Sequence, residues 1–165
     1  MRMRIQLAKE KDLSNMREVF DYGRKVQLET GNLTQWKEGY PSDELILEDM
    51  KKNAAHLCLS ESDEILAVFS VFTDADPTYA EIEGEWLNDE DYAIIHRIAA
   101  TGKVSGAGQS CIQWVMEKYG NVRIDTHHKN KQMKHILEKL GFEYCGIIYL
   151  ENGDPRDAYQ YYSNM

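Results

Sequence analysis

The chain is poor in the residues that would mark it as a special case. Three of its 165 residues are cysteines, Cys58, Cys111 and Cys145, set far apart. That spacing holds no CxxC pair and no even disulfide set, so the expectation is reduced core thiols and no metal site. Prolines also number three, which excludes a proline-rich linker. No apolar run approaches the roughly 20 residues of a membrane-spanning helix. The basic start "MRMRIQLAKEKD" has no apolar stretch behind it to make a secretory signal. A cytoplasmic protein with no membrane partner is expected. Basic residues are in deficit: 19 Lys and Arg face 28 Asp and Glu, for a net charge of −9. A nucleic-acid binder needs a basic face to neutralise phosphates, so that class is excluded. The acidic balance mildly favours cationic partners.

What is present is an ordinary globular balance, 42% hydrophobic and 28% charged. The length suits a single domain over residues 1–165. "RIQLA" alternates and reads as a strand, with Ile5 and Leu7 on one face. Asp12 then stands as a helix cap before the stripe Leu13, Met16, Phe20. Gly31-Asn32 breaks that helix, and Pro41-Ser42-Asp43 starts another. "AHLCLS" and "EILAVFSVF" around "ESDE" read as a hairpin from Ala55 to Phe72. Residues 73–91 are expected to form a functional loop with a short strand, since long connections in compact domains are usually sites or linkers.

"YAIIHRIAA" reads as a further strand, followed by "TGKVSGAGQS" and a helix with Ile112, Val115, Met116 and Tyr119 on one face. "NVRIDT" is a short strand. Asn130 then sits at a cap position before the stripe Met133, Ile136, Leu137, Leu140, and Gly141 ends that helix. "EYCGIIYL" and "DAYQYY" read as final strands. Strands and helices in this order predict a mixed α/β fold in which helices cover the sheet.

The glycines of the turn have two readings. Gly102, Gly106 and Gly108 can be punctuation between strand and helix. They can also bare backbone N–H groups, because the first N–H groups of a helix have no intrahelical partner and the dipole there favours an anion. Small neighbours, Ser105 and Ala107, and the charge of Lys103 suit a pyrophosphate cradle over Lys103 to Gln109. The nucleotide P-loop pattern GxxxxGK[ST] is absent. The dinucleotide pattern GxGxxG lacks its third glycine.

Lys103-Val104-Ser105-Gly106-Ala107-Gly108 resembles motif A of the GNAT superfamily of acyl-CoA-dependent N-acetyltransferases, [R/Q]-x-x-G-x-[G/A]. "RIDTHHKNKQMKHILEKLGFEYCGIIY" is similar to the family's motif B region. "RIQLAKEKDLSNM" and "TQWKEGYPSDELILEDM" are similar to the opening helices of small bacterial members, so the resemblance covers almost the whole chain. It implies a mixed, mostly antiparallel central sheet of about six to seven strands flanked by about four helices. The departures are Lys103 in place of the planar Arg or Gln, a short loop between Ala100 and Lys103, and Leu137 where many members carry a proton-donating Tyr.

The resemblance implies transfer of an acetyl group from acetyl-CoA to a primary amine, on a small-molecule or peptide acceptor, by direct attack within a ternary complex. It implies that Lys103, Val104, Ser105, Gly106, Ala107, Gly108 and Gln109 cradle the pyrophosphate. The main chain of Ile98, Ala99 and Ala100 would pair with the pantetheine arm, with Asn130, Met133 and Lys134 contributing from the next helix and Lys129 and Lys131 adding positive charge. No metal is implied. Many members are homodimers, which the sequence neither supports nor opposes. An amine must lose its proton and an oxyanion must be stabilised. His96 lies two residues before Ile98 and so on one strand face with it, and is one candidate base; Glu83 is the other. Tyr79, Trp86 and Tyr92 stand as walls of the amine site or as core. Leu137 motivates an alternative, a non-catalytic acyl-CoA-binding module with a regulatory or structural role.

Overall fold

The computed structural model describes residues 2–32 and 35–163. Met1, Thr34 of the quoted helical segment, its neighbour Leu33, and the last two residues lie outside them. The chain divides into two compact units, Met1–Val71 with Ile95–Ile112, and Phe72–Ile94 with Gln113–Met165.

The first unit contains β1 (Arg4–Leu7), α1 (Leu13–Glu29), α2 (Asp43–Lys51), β2 (Ala55–Leu59) and β3 (Ile65–Phe72), together with most of β5 (Ala93–Ala100) and the start of α3 (Ala107–Tyr119). Its strands run in the order β1-β2-β3-β5. β1 and β2 are antiparallel, as are β2 and β3. Met16, Val19 and Phe20 of α1, spaced three and four residues apart, are buried with Ile46, Leu57, Val68 and Ala99 in one apolar cluster. Asp12 does not cap α1 as expected. Its carboxylate accepts the Lys9 N–H at 2.8 Å and closes a single 3-10 turn that precedes the helix. Ser42 does cap α2, accepting the Leu45 N–H at 3.2 Å.

The second unit holds β4 (Glu83–Gly84), the rest of α3, β6 (Asn121–Thr126), α4 (Lys131–Lys139), β7 (Glu143–Tyr149) and β8 (Pro155–Tyr162). From the opening residues of β5 its strands follow as β6-β8-β7-β4. Ala93 and Ile94 pair in parallel with Val122 and Arg123. The other pairs in this unit, β6 with β8, β8 with β7 and β7 with β4, are antiparallel. Tyr79, Ile94, Ile148 and Ala158 form the core.

Among the described residues there are eight strands, mostly antiparallel, and four α-helices. The strand count exceeds the expected six to seven because the loop over residues 73–91 supplies the two-residue β4, held by main-chain pairing that its side chains do not advertise. Tyr119 also departs from expectation. It is exposed, whereas Ile112 and Val115 of the same helix are fully buried. Among the described residues no helix is long and apolar enough to cross a membrane.

Candidate functional site

The turn after β5 is built from local bonds. The Thr101 N–H donates to Leu66 O at 3.0 Å and ends the strand. Thr101 Oγ1 accepts the Lys103 N–H at 3.2 Å. The first bond of α3 runs from Ser110 N–H to Gly106 O at 2.9 Å. The N–H groups of Ala107, Gly108 and Gln109 therefore have no intrahelical acceptor.

The three glycines here differ. Gly102 has φ +77°, a left-handed backbone that disfavours a side chain, so that position is explained by the turn. Gly106 has φ +84°, which disfavours a side chain, yet no atom lies within 4 Å of where its Cβ would be. Gly108 has ordinary helical backbone and the same open space. Neither strain nor packing calls for a glycine at 108. The missing atom leaves the helix N-terminus open to an approaching group, and a phosphate fits that space and polarity. Lys103 stands at the rim, exposed, with its Nζ 2.5 Å from Glu64. The hydrogen bond and charge of Glu64 raise its pKa.

β5 itself is kinked. Arg97 has φ +52°, outside the β region. The alternation that would put His96 and Ile98 on one face assumes regular strand and is interrupted there. A polar group missed by the sequence reading holds this residue. Arg97 Nε and one terminal nitrogen donate to the two oxygens of Asp49 at 2.7 and 2.9 Å. Ser70 Oγ donates to the same carboxylate at 2.8 Å, and Tyr40 Oη accepts from the other guanidinium nitrogen at 3.4 Å. Asp49 is buried. Its one advance signal is a carboxylate three residues after Ile46 on the apolar face of α2. His96 and Ile98 are half-buried, and Ala99 belongs to the core of this unit.

In the second unit Asn130 Oδ1 accepts the Met133 N–H at 3.2 Å and caps α4. Met133 and Lys134 are half-buried, and Lys134 Nζ lies 2.9 Å from Asp157. Lys129 and Lys131 are exposed. Leu137 is fully buried, a core residue at the position where the family resemblance implies a tyrosine. Glu83 is exposed on β4, and its carboxylate accepts the Tyr149 hydroxyl, which raises the Tyr149 pKa. Tyr79 belongs to the core of this unit, and Trp86 and Tyr92 are half-buried against it. Tyr79 is buried, donates to Asp125 at 2.6 Å, and burial pushes its pKa well up. Trp86 Nε1 donates to Tyr79 O at 2.9 Å. The Arg123 guanidinium lies against the Trp86 and Tyr92 rings, 4.2 and 3.9 Å from their centroids. The aromatics thus enclose a buried cation of this chain. His127, also buried, accepts the Lys129 N–H at Nδ1 (3.1 Å), and burial lowers its pKa.

No family model and no curated protein matches the chain. Solved structures do. An acetyltransferase of the GNAT family from Streptococcus agalactiae is 31% identical with a TM-score of 0.89, covering 99% of this chain and 96% of its own. The chain belongs to the GNAT family of acetyltransferases. A GNAT-family acetyltransferase from Listeria monocytogenes shares the fold at 17% identity and TM-score 0.71, over 96% of this chain and 93% of its own. So does a GNAT-superfamily phosphinothricin acetyltransferase from Sinorhizobium meliloti, solved in complex with AcCoA, at 14% identity and TM-score 0.65, over 97% and 88%. For this GNAT member the expected fold class stands. Among the described residues no group of three or more His, Cys, Asp or Glu could hold a metal ion.

Proposed function

We propose that this GNAT protein is an N-acetyltransferase that binds acetyl-CoA at the Lys103–Gln109 turn and acetylates a primary amine by direct attack within a ternary complex, as one domain over residues 1–165. The observation that carries this reading is the open space over Gly106 and Gly108 at the start of α3. Acetyl-CoA supplies the activated acyl thioester. The N–H groups of Ala107, Gly108 and Gln109 receive the pyrophosphate, and Lys103 adds charge from the rim. The main chain of Ile98, Ala99 and Ala100 orients the pantetheine arm, and its N–H groups serve the oxyanion. Asn130 and Met133 contribute from the start of α4, and Lys129 and Lys131 add positive charge. Lys134 contributes less, because its ammonium neutralises Asp157.

His96, next to the kink at Arg97, takes the amine proton at its imidazole nitrogen, with Glu83 as the rival acceptor at its carboxylate. Replacing the base should cost about a hundredfold or more in kcat and leave acetyl-CoA affinity unchanged. His96→Gln and Glu83→Gln, assayed by thiol release over a panel of amines, identify it. If neither falls, both assignments are lost. Acetyl-CoA binding is read by calorimetry, and no binding at high micromolar concentration would sink the whole reading. The buried Leu137 favours a second reading, an acyl-CoA-binding module without turnover. Saturable binding with no thiol release from any amine would establish that one instead. The acceptor class, small molecule or peptide, and the homodimer belong to the same proposal; the amine panel and sedimentation test them.

A further inference from the structure

One residue of β5 stands in a backbone conformation that its side chain disfavours. Among the described residues three that are not glycine have positive φ: Asn53, Asp63 and Arg97. Asn53 and Asp63 lie in the connections before and after β2, and asparagine and aspartate enter this region readily. Arg97, at φ +52°, lies inside a strand, where no such local chemistry favours it. Its neighbours hold it there. The guanidinium and the Asp49 carboxylate pair through two hydrogen bonds, with their side chains 13% and 4% exposed. Ser70 Oγ and Tyr40 Oη complete the set, from β3 and from the residues before α2. Past the kink the strand is packed closely too. A Cβ on Gly23 of α1 would lie 3.0 Å from Ala99 Cβ and 3.4 Å from the Trp36 ring. The Trp36 ring in turn meets Tyr40, with centroids 5.9 Å apart. Arg97 and Ala99 are thus gripped from α2 and α1 within one unit.

We propose that Asp49 is a positioning residue for acetyl transfer: through Arg97 it sets the kink in β5 that aims the main chain of Ile98, Ala99 and Ala100 at the thioester. The inference rests on the acetyl-CoA reading above. Stability alone does not call for this arrangement. A buried ion pair contributes little beyond what an apolar pair of the same volume would. A left-handed arginine costs free energy, and persists only where its surroundings over-determine it. Both costly features coincide on the residue between His96 and Ile98. In a regular strand successive N–H groups point to opposite edges; a kink re-aims those that follow it. Amine attack forms the N–C bond and moves the carbonyl electron pair onto oxygen. Collapse of that oxyanion breaks the C–S bond, and the amine proton passes by way of the base to the departing thiolate. The N–H groups that receive the oxyanion must already stand in place, because their effect depends on needing no reorganisation. Asp49 is buried and acts only through Arg97.

The test separates backbone from charge. Asp49→Asn should lower kcat for thiol release by at least about tenfold, while acetyl-CoA affinity by calorimetry holds, because the α3 turn is untouched. Adding Arg97→Gly should restore kcat to within about threefold of the wild type, since glycine takes a positive φ without an anchor. Adding Arg97→Ala instead should not restore it, although alanine removes the same charge. Glu48→Gln breaks an exposed pair with Lys52 on the same helix and should leave kcat unchanged. If Asp49→Asn fails to fold, the two double variants decide by the same contrast. The assignment is overturned if Asp49→Asn turns over as fast as the wild type, if glycine and alanine at position 97 act alike, or if Glu48→Gln slows turnover equally. No thiol release from the wild type with any amine overturns the acetyl-transfer reading, and this assignment with it. Wild-type turnover together with any of the three preceding results overturns this assignment alone.

Discussion

Gly84 and Gly146 in the second unit lack a side chain for the opposite reason to Gly106 and Gly108 in the first. A Cβ on Gly84 would lie 2.1 Å from Cys145 O, and one on Gly146 would lie 2.0 Å from Glu83 O. A register slip between Tyr144 and Gly146 brings β7 this close to β4, and the Glu85 N–H donates to Cys145 O at 3.0 Å. The chain itself fills the space that those side chains would take. At Gly106 and Gly108 nothing of the chain lies within 4 Å. Glycine as a residue type therefore says little. What would meet the missing atom, taken with the backbone φ, separates the packing role of Gly84 and Gly146 from Gly108, where neither calls for a glycine.

Gly146→Ala should give the largest effect. A methyl group must displace backbone, and the residue sits at φ +143°, so the loss should exceed about 3 kcal/mol. Chemical denaturation measures it, and the protein that still folds should bind acetyl-CoA as before. Gly108→Leu should behave in the opposite way. Leucine, unlike the alanine that the motif tolerates here, fills the open space, and it favours helix over glycine by up to about 1 kcal/mol, so stability should rise while acetyl-CoA affinity falls by about tenfold, which is about 1.4 kcal/mol. Calorimetry and denaturation on the same variant test this; a stability gain with unchanged affinity would return Gly108 to punctuation.

A third measurement sharpens the contrast through pH. Burial holds the His127 pKa below its ordinary value, and Nδ1 accepts the Lys129 N–H only while unprotonated. The unfolded chain thus takes up the proton first as pH falls. The stability contributed by neutral His127 is full above the ordinary histidine pKa of about 6.5 and is lost as pH falls toward the lower, folded value. Thermal unfolding at several pH values between neutral and mildly acidic should show that slope, and His127→Gln should flatten it. An unchanged slope in the variant would remove His127 from the account. The smallest effect is expected at the rim of the cradle. Glu64→Gln frees Lys103 from an exposed ion pair, and such pairs are weak and salt-screened. Acetyl-CoA affinity should rise by less than about threefold, which is within 1 kcal/mol, and the gain should shrink in high salt.

Local chemistry made much of the fold legible. The stripe through Met16 and Phe20, the Ser42 and Asn130 caps and the hairpin around residues 55–72 all follow from side-chain spacing and capping oxygens, which act over a few residues. The glycine turn was legible in the same way, since its pattern is contiguous. The short strand expected within residues 73–91 is present as β4, but its bounds and its partner β7 were not legible, because two residues paired through main chain leave no periodicity to read. The Asp49–Arg97 pair was not either: its partners stand 48 residues apart, and a lone carboxylate in a helix normally faces water. Tyr79, Trp86 and Tyr92 were ambiguous for a related reason. Arg123, which two of them cover, comes from a distant strand.

The sequence by itself determined the elements, the order in which they occur, and a helix that opens on glycines with unpaired N–H groups, because each depends on neighbours within a turn or two. Only the tertiary structure decided which glycine faces protein and which faces open space, that Leu137 is core, and that Asp49 meets Arg97. Those outcomes depend on contacts between residues remote in the chain, whose distances no local pattern encodes.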